Sequence, residues 1–231
     1  MLMKENLEKY IRSSFGRVLN EQREFKIFDN VQVYVNEELP QNVDIRVVLD
    51  KVSEKVPAYL TSNLDSIQVG YINQFEKKNV NALYKNGTIY VTNYQDNNED
   101  MVDDIVHEIA HAVEEVFTKD LYRDEKIENE FLGERNRLFN LLKAERVDVF
   151  ESYFLNTKYS GEFDHFLYKN LGYDFLRNIA MGLFVSPYAI TSLREYFANG
   201  FEEYYLNDRN YLRKISPNLY TKLAYLDSLK I

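Results

Sequence analysis

A helical pattern with two histidines on its polar side constrains this chain more than any other feature. The run DNNED at 96–100 supplies N-cap residues, and helical spacing of apolar side chains continues from there to about Phe117. At about 100° per residue, Val102, Ile105, Val106, Ile109, Val113, Val116 and Phe117 share one half of that helix. Asp104, His107, Glu108, His111 and Glu115 share the other half. His107 and His111, at i and i+4, stand one above the other, so their imidazoles can reach a single metal ion. Glu108 projects beside them, where it can take a proton from an attacking water. The bland alternative is that the same residues decorate a solvated helix face.

Composition narrows the ligand set. The chain has 231 residues, no cysteine and three histidines, His107, His111 and His165, so any metal is held by His, Asp or Glu. A formal net charge of −9 argues against nucleic acid or anionic membrane as a partner of the overall field. The N-terminal MLMKENLEKYIRSSFGRVLNEQ has no apolar stretch of signal-peptide type, and no run of 18 apolar residues occurs. A cytoplasmic location, or delivery without an N-terminal signal, is the expectation.

Strand signals collect in the first half. VQVYV at 31–35 alternates in the manner of a half-buried strand, and 66–75 reads as another. In NALYKNGTIYVTN, Asn86-Gly87 between two β-prone runs predicts a hairpin, with Ile89-Tyr90-Val91 as the returning strand. Helices are expected over 4–23, 42–60 and most of the chain from about 124, with breaks at Gly172, Pro187 and 207–208. The order is α+β: a single domain over 1–231, with a strand-containing half at 1–95 and a helical half at 96–231.

A catalytic zinc usually takes three protein ligands, so two histidines need a companion. Glu114 and Phe117 stand where the metzincin continuation requires Gly and His, which removes that class. His165, in FDHFLY, has no supporting pattern and reads more readily as an ordinary histidine. In SPYAITSLREYFANGFEEYYL, Glu195, Asn199 and Glu202 make a polar stripe opposite Leu193, Phe197, Phe201 and Tyr204. A carboxylate on such a helix suits a metal. Ser192-x-x-Glu195 is also a capping box, in which Glu195 would bond backbone instead. Both readings stand at this point. Asp103, Asp104, Glu114 and Glu115 read as solvated helix charges, with Glu115 alternatively placed behind a zinc histidine.

HEIAH followed by SPYAITSLREYFANGFEEYY resembles the lethal-factor-like zincins, the group that includes the catalytic domain of anthrax lethal factor and the Pro-Pro endopeptidases. The likeness covers roughly 84–117 and 185–206. It implies a zincin-like fold in which Glu195, opening Glu195-Tyr196-Phe197-Ala198, is the third zinc ligand. It implies that Tyr188, seven residues earlier, points at the substrate oxygen on the metal. It also implies an edge strand at Ile89-Tyr90-Val91 along which a protein or peptide substrate lies extended. The activity so implied is that of a zinc-dependent endopeptidase with Zn2+ as cofactor, His107, His111 and Glu195 as ligands, and Glu108 and Tyr188 as catalytic groups. A zincin scaffold serving only to bind a protein, or a zinc hydrolase of another amide or ester, are the rival readings. Two departures stand out. The spacer from His111 to Glu195 is long, 84 positions (195 less 111). Relatives often have a carboxylate four residues after the ligand glutamate, orienting a zinc histidine, where this chain has Asn199.

Overall fold

The structure is a computed structural model that describes residues 23–70 and 80–229. The helix expected over 4–23 lies, apart from its last position, outside the described residues, as does the far end of the strand expected over 66–75. The chain groups into two compact units, with the border at Ile105/Val106 rather than at 95/96. Residues 55–61 belong with the second unit although they interrupt the first.

The first unit is built on a mixed five-stranded sheet. Its strands are β1 (Glu24–Ile27), β2 (Val31–Val35), β3 (Ser66–Val69), β4 (Ala82–Lys85) and β5 (Thr88–Val91), in the order β1-β2-β3-β5-β4. The outer pairs β1–β2 and β4–β5 are antiparallel hairpins, while β2–β3 and β3–β5 are parallel. Between β2 and β3 runs α1 (Ile45–Lys55), which buries Ile45, Val48, Leu49 and Val52. Period-2 alternation sets the register. Val33, Ile67 and Ile89 align in one cross-strand row and Val35, Val69 and Val91 in another, and all six are buried. The row Ser66–Thr88 faces the other way, with the two hydroxyls 3.2 Å apart.

The β4–β5 hairpin turns where the sequence indicates. Asn86 (φ 50°) and Gly87 (φ 78°) both take the left-handed conformation that a two-residue hairpin loop of this twist needs. At Gly87 a Cβ would also come within 2.6 Å of Asp65 Oδ2, so glycine is required twice over. One expectation is corrected. Ile89-Tyr90-Val91 is not an edge strand, because β5 is paired on both sides by β3 and β4. Among the described residues the sheet ends at β4 and β1. β1 itself, with the charged alternation EFKI, carries too little apolar signal to be read from the sequence.

The second unit is helical. It contains the later part of α2 (Asn98–Tyr122), then α3 (Lys126–Ala144), α4 (Gly161–His165), α5 (Tyr173–Ile179), α6 (Leu193–Leu206), α7 (Arg209–Ile215) and α8 (Pro217–Ser228). The breaks fall near the expected residues. Gly172 (φ 80°) precedes α5, Pro187 opens a short 3-10 turn over Tyr188–Ile190, and Asn207–Asp208 separate α6 from α7. α2 outruns the expected end at Phe117, but Phe117 has non-helical angles (φ −98°, ψ 15°), so the helix kinks there. Among the described residues no helix is long and apolar enough to cross a membrane.

Aromatic packing holds α6 in place. Tyr196 sits 5.3 Å from Phe131 of α3 and 5.9 Å from Phe184, ring centre to ring centre, and all three are buried. Glu130 of α3 accepts from Tyr196 Oη at 3.1 Å and from the backbone N–H groups of Asn218 and Leu219. It thereby satisfies the exposed donors at the start of α8 while tying α3, α6 and α8 together. Gly200 lets α6 and α8 approach closely, since a Cβ there would lie 2.2 Å from Leu219 Cδ2.

Candidate metal centre

The middle of the polar half of α2 is turned away from solvent, although Glu115 at its end is exposed. Glu108 and His111 are buried at 7% and 6% exposure, which for a carboxylate and an imidazole demands partners. Those for the histidines come from α6, whose own polar stripe lies against theirs. Ser192 caps α6 by accepting from the Glu195 backbone N–H at 3.1 Å. The capping-box alternative therefore describes only the backbone of Glu195, and its carboxylate goes elsewhere. Oε2 lies 2.9 Å from His107 Nε2 and Oε1 lies 3.6 Å from His111 Nε2.

The donor set fits a tetrahedral metal. Zinc with bonds of about 2.0–2.2 Å places neighbouring donor atoms about 3.3 Å apart. The two Glu195–imidazole separations of 2.9 and 3.6 Å bracket that value. The rings of His107 and His111 stand edge to face with centres 4.9 Å apart, and donor atoms of His107, Glu108 and His111 lie within 4.8 Å of one another. Glu195 is not in that group, but its two oxygens approach the two Nε2 atoms separately, one ring each. His165 is exposed, belongs to no such group among the described residues, and plays no part.

His107 is held from both sides. Its Nδ1 meets Glu202 of α6 in a short hydrogen bond while Nε2 meets Glu195. Burial alone would lower its pKa, but the hydrogen bonds and charges of Glu195 and Glu202 outweigh this and raise it well above the ordinary histidine value. His111 behaves oppositely. Burial lowers its pKa, Glu195 opposes this only in part, and the charges of His107 and Arg194 add to the fall, to about 3. Glu195 is pushed up by burial, yet the His107 hydrogen bond and the neighbouring positive charges hold it below the usual carboxylate range. Two carboxylates thus converge on one imidazole.

No family model, curated protein or solved structure matches this chain. Tyr188, on the 3-10 turn before α6, has its ring centre 6.2 Å from that of His107. Burial, and then the charge of Glu195, raise its pKa, so the hydroxyl stays a proton donor. Thr157, within the long spacer, accepts from Leu193 N–H at 2.8 Å, which ties the spacer to the first turn of the helix that bears Glu195.

Asn199 stands where relatives often have a carboxylate that orients a zinc histidine. Asn199 donates to the Glu195 carbonyl at 2.8 Å and its Oδ1 accepts from Ser186 Oγ, so it does not orient an imidazole. Glu202 occupies that role two turns after Glu195. The signal was the stripe Glu195–Asn199–Glu202 itself, in which i and i+7 share a face. Glu114 and Arg194, both beside His111, were read as ordinary surface charges or not at all. Glu115, the alternative partner, is exposed.

Proposed function

We propose that this protein is a zinc-dependent endopeptidase, similar in its chemistry to the lethal-factor-like zincins. The observation that carries the reading is the Glu195 carboxylate lying against Nε2 of both His107 and His111. His107, His111 and Glu195 would hold the metal, with Glu202 accepting the Nδ1–H of His107. Zinc, when bound, supplies Lewis acidity that makes water acidic enough to attack at neutral pH and polarises the scissile carbonyl. Glu108, buried next to the ligands, takes the proton of the attacking water and returns it to the leaving amine. The Tyr188 hydroxyl donates to the oxygen on which charge develops.

The substrate we infer is a protein or peptide in extended form.

The experiment is zinc analysis on the wild type and Glu108→Ala, with both proteins digesting a peptide library. One zinc per chain in each, and cleavage by the wild type alone, is the expected result. A zinc-loaded wild type that binds peptides and cuts none would turn the reading into a docking module. Release of a non-peptide acyl product would turn it into another zinc hydrolase.

A further inference from the structure

The Nδ1 edge of His111 faces a donor rather than an acceptor. Arg194 Nε donates to His111 Nδ1 at 3.0 Å, so in the neutral ring Nδ1 bears the lone pair and Nε2 the proton. A metal at Nε2 needs the reverse, with the proton on Nδ1 and an acceptor to receive it. Arg194 offers only donors and cannot serve.

An acceptor stands one helical turn away. Glu114, at i+3 from His111 on α2, has Oε2 3.9 Å from His111 Nδ1 and 3.8 Å from Arg194 Nε. Its other oxygen accepts from Tyr122 Oη at 2.5 Å, which fixes the carboxylate from the far side of the Phe117 kink. The three groups form a triangle around one ring nitrogen. A shift of about 1 Å brings Glu114 to an ordinary N–H···O distance and lets Arg194 pair with the carboxylate instead.

We propose that Glu114 is the positioning carboxylate of His111, as Glu202 is of His107, receiving the Nδ1 proton when Nε2 binds the metal. The proposal rests on the metal reading above. Each zinc histidine then has its own carboxylate behind it, one from α6 and one from α2.

The test is the zinc dissociation constant, measured on the full chain by competition with a chromophoric chelator. Glu114→Ala should weaken zinc binding by about 10- to 100-fold, and Glu114→Gln by less, because an amide oxygen still accepts from Nδ1–H. Arg194→Ala should bind zinc at least as tightly as the wild type. In the zinc-loaded protein the His111 Nδ1–H resonance should move upfield in Glu114→Ala, which a loss of packing alone would not cause. Wild-type affinity in Glu114→Ala, or in Glu114→Gln should the alanine variant not fold, with the resonance unmoved, overturns this assignment while leaving the metal site standing. Equal weakening in Arg194→Ala and Glu114→Ala overturns it too, because the loss would then not depend on an acceptor at Nδ1. A wild type that binds no zinc fails the metal reading itself.

Discussion

Glu202 and His107 meet across two helices, the carboxylate of α6 against Nδ1 of the first histidine of α2, although they stand 95 positions apart in the chain. This contact leaves Nε2 of His107 turned toward Glu195. It follows that Glu202→Ala should lower zinc affinity by about 10- to 100-fold, with Glu202→Gln falling between that variant and the wild type. Isothermal titration of zinc into the metal-free proteins measures it. Unchanged affinity in both variants would show the contact to be irrelevant to the metal.

The division of labour between binding and chemistry is separable. Glu108→Gln should retain stoichiometric zinc and lose peptide hydrolysis by about 100-fold or more, the scale of a missing general base. Tyr188→Phe should keep zinc and lose about 100- to 1,000-fold in kcat, because its hydroxyl acts on charge that develops only during reaction. Steady-state kinetics with one cleavable peptide, beside metal content, checks both. A loss of zinc in Glu108→Gln would place that carboxylate among the ligands.

Packing beneath the site is tight at Gly200. A methyl group there meets Leu219 Cδ2 at 2.2 Å, so Gly200→Ala should destabilise by about 1–3 kcal/mol. Pairing it with Leu219→Ala should recover part of that loss, since the two substitutions concern the same space. Denaturant melts of the two single variants and the double variant give the coupling. Strict additivity would mean that α6 and α8 do not press on each other at this point.

Glu134 gives stability a pH dependence of definite sign. Burial raises its pKa, and the partly compensating Arg137, whose Nη1 lies 2.9 Å from Oε1, does not cancel this. A carboxyl with a raised folded pKa favours folding while protonated. Its cost is absent below the unfolded value and complete above the folded one. Glu134→Gln should therefore be more stable than the wild type at pH 8 and lose that advantage as the pH falls through 4. Thermal melts across that range decide it, and an advantage larger at pH 4 than at pH 8 would contradict the assignment.

The parts of the fold that could be read from residue order are those set by local energies. Asn86-Gly87 turns the hairpin because few residue pairs tolerate two successive left-handed conformations. Val31 to Val35 alternates because one face of the sheet is buried. The HExxH spacing stacks two imidazoles because a helix repeats every 3.6 residues, whatever surrounds it. The place of β5 inside the sheet was not legible, since strand order follows from how distant strands pair and β3 and β5 say nothing locally about being neighbours. β1 was missed for a related reason: its pairing with β2 supplies an order that its own residues hardly signal.

The candidate site divides along the same line. Residue order determined that His107, Glu108 and His111 share one side of a helix, and that Glu195 and Glu202 share one side of another. Only the tertiary structure decided that those two sides face each other in a buried space, that Glu202 rather than Asn199 stands behind His107, and that Glu114 and Arg194 both lie beside His111. The physical reason is that helix periodicity depends on backbone hydrogen bonds a few residues apart. The partner of a buried polar group depends instead on where helices cross, which the packing of Phe131, Phe184, Tyr196 and Gly200 arranges at long range.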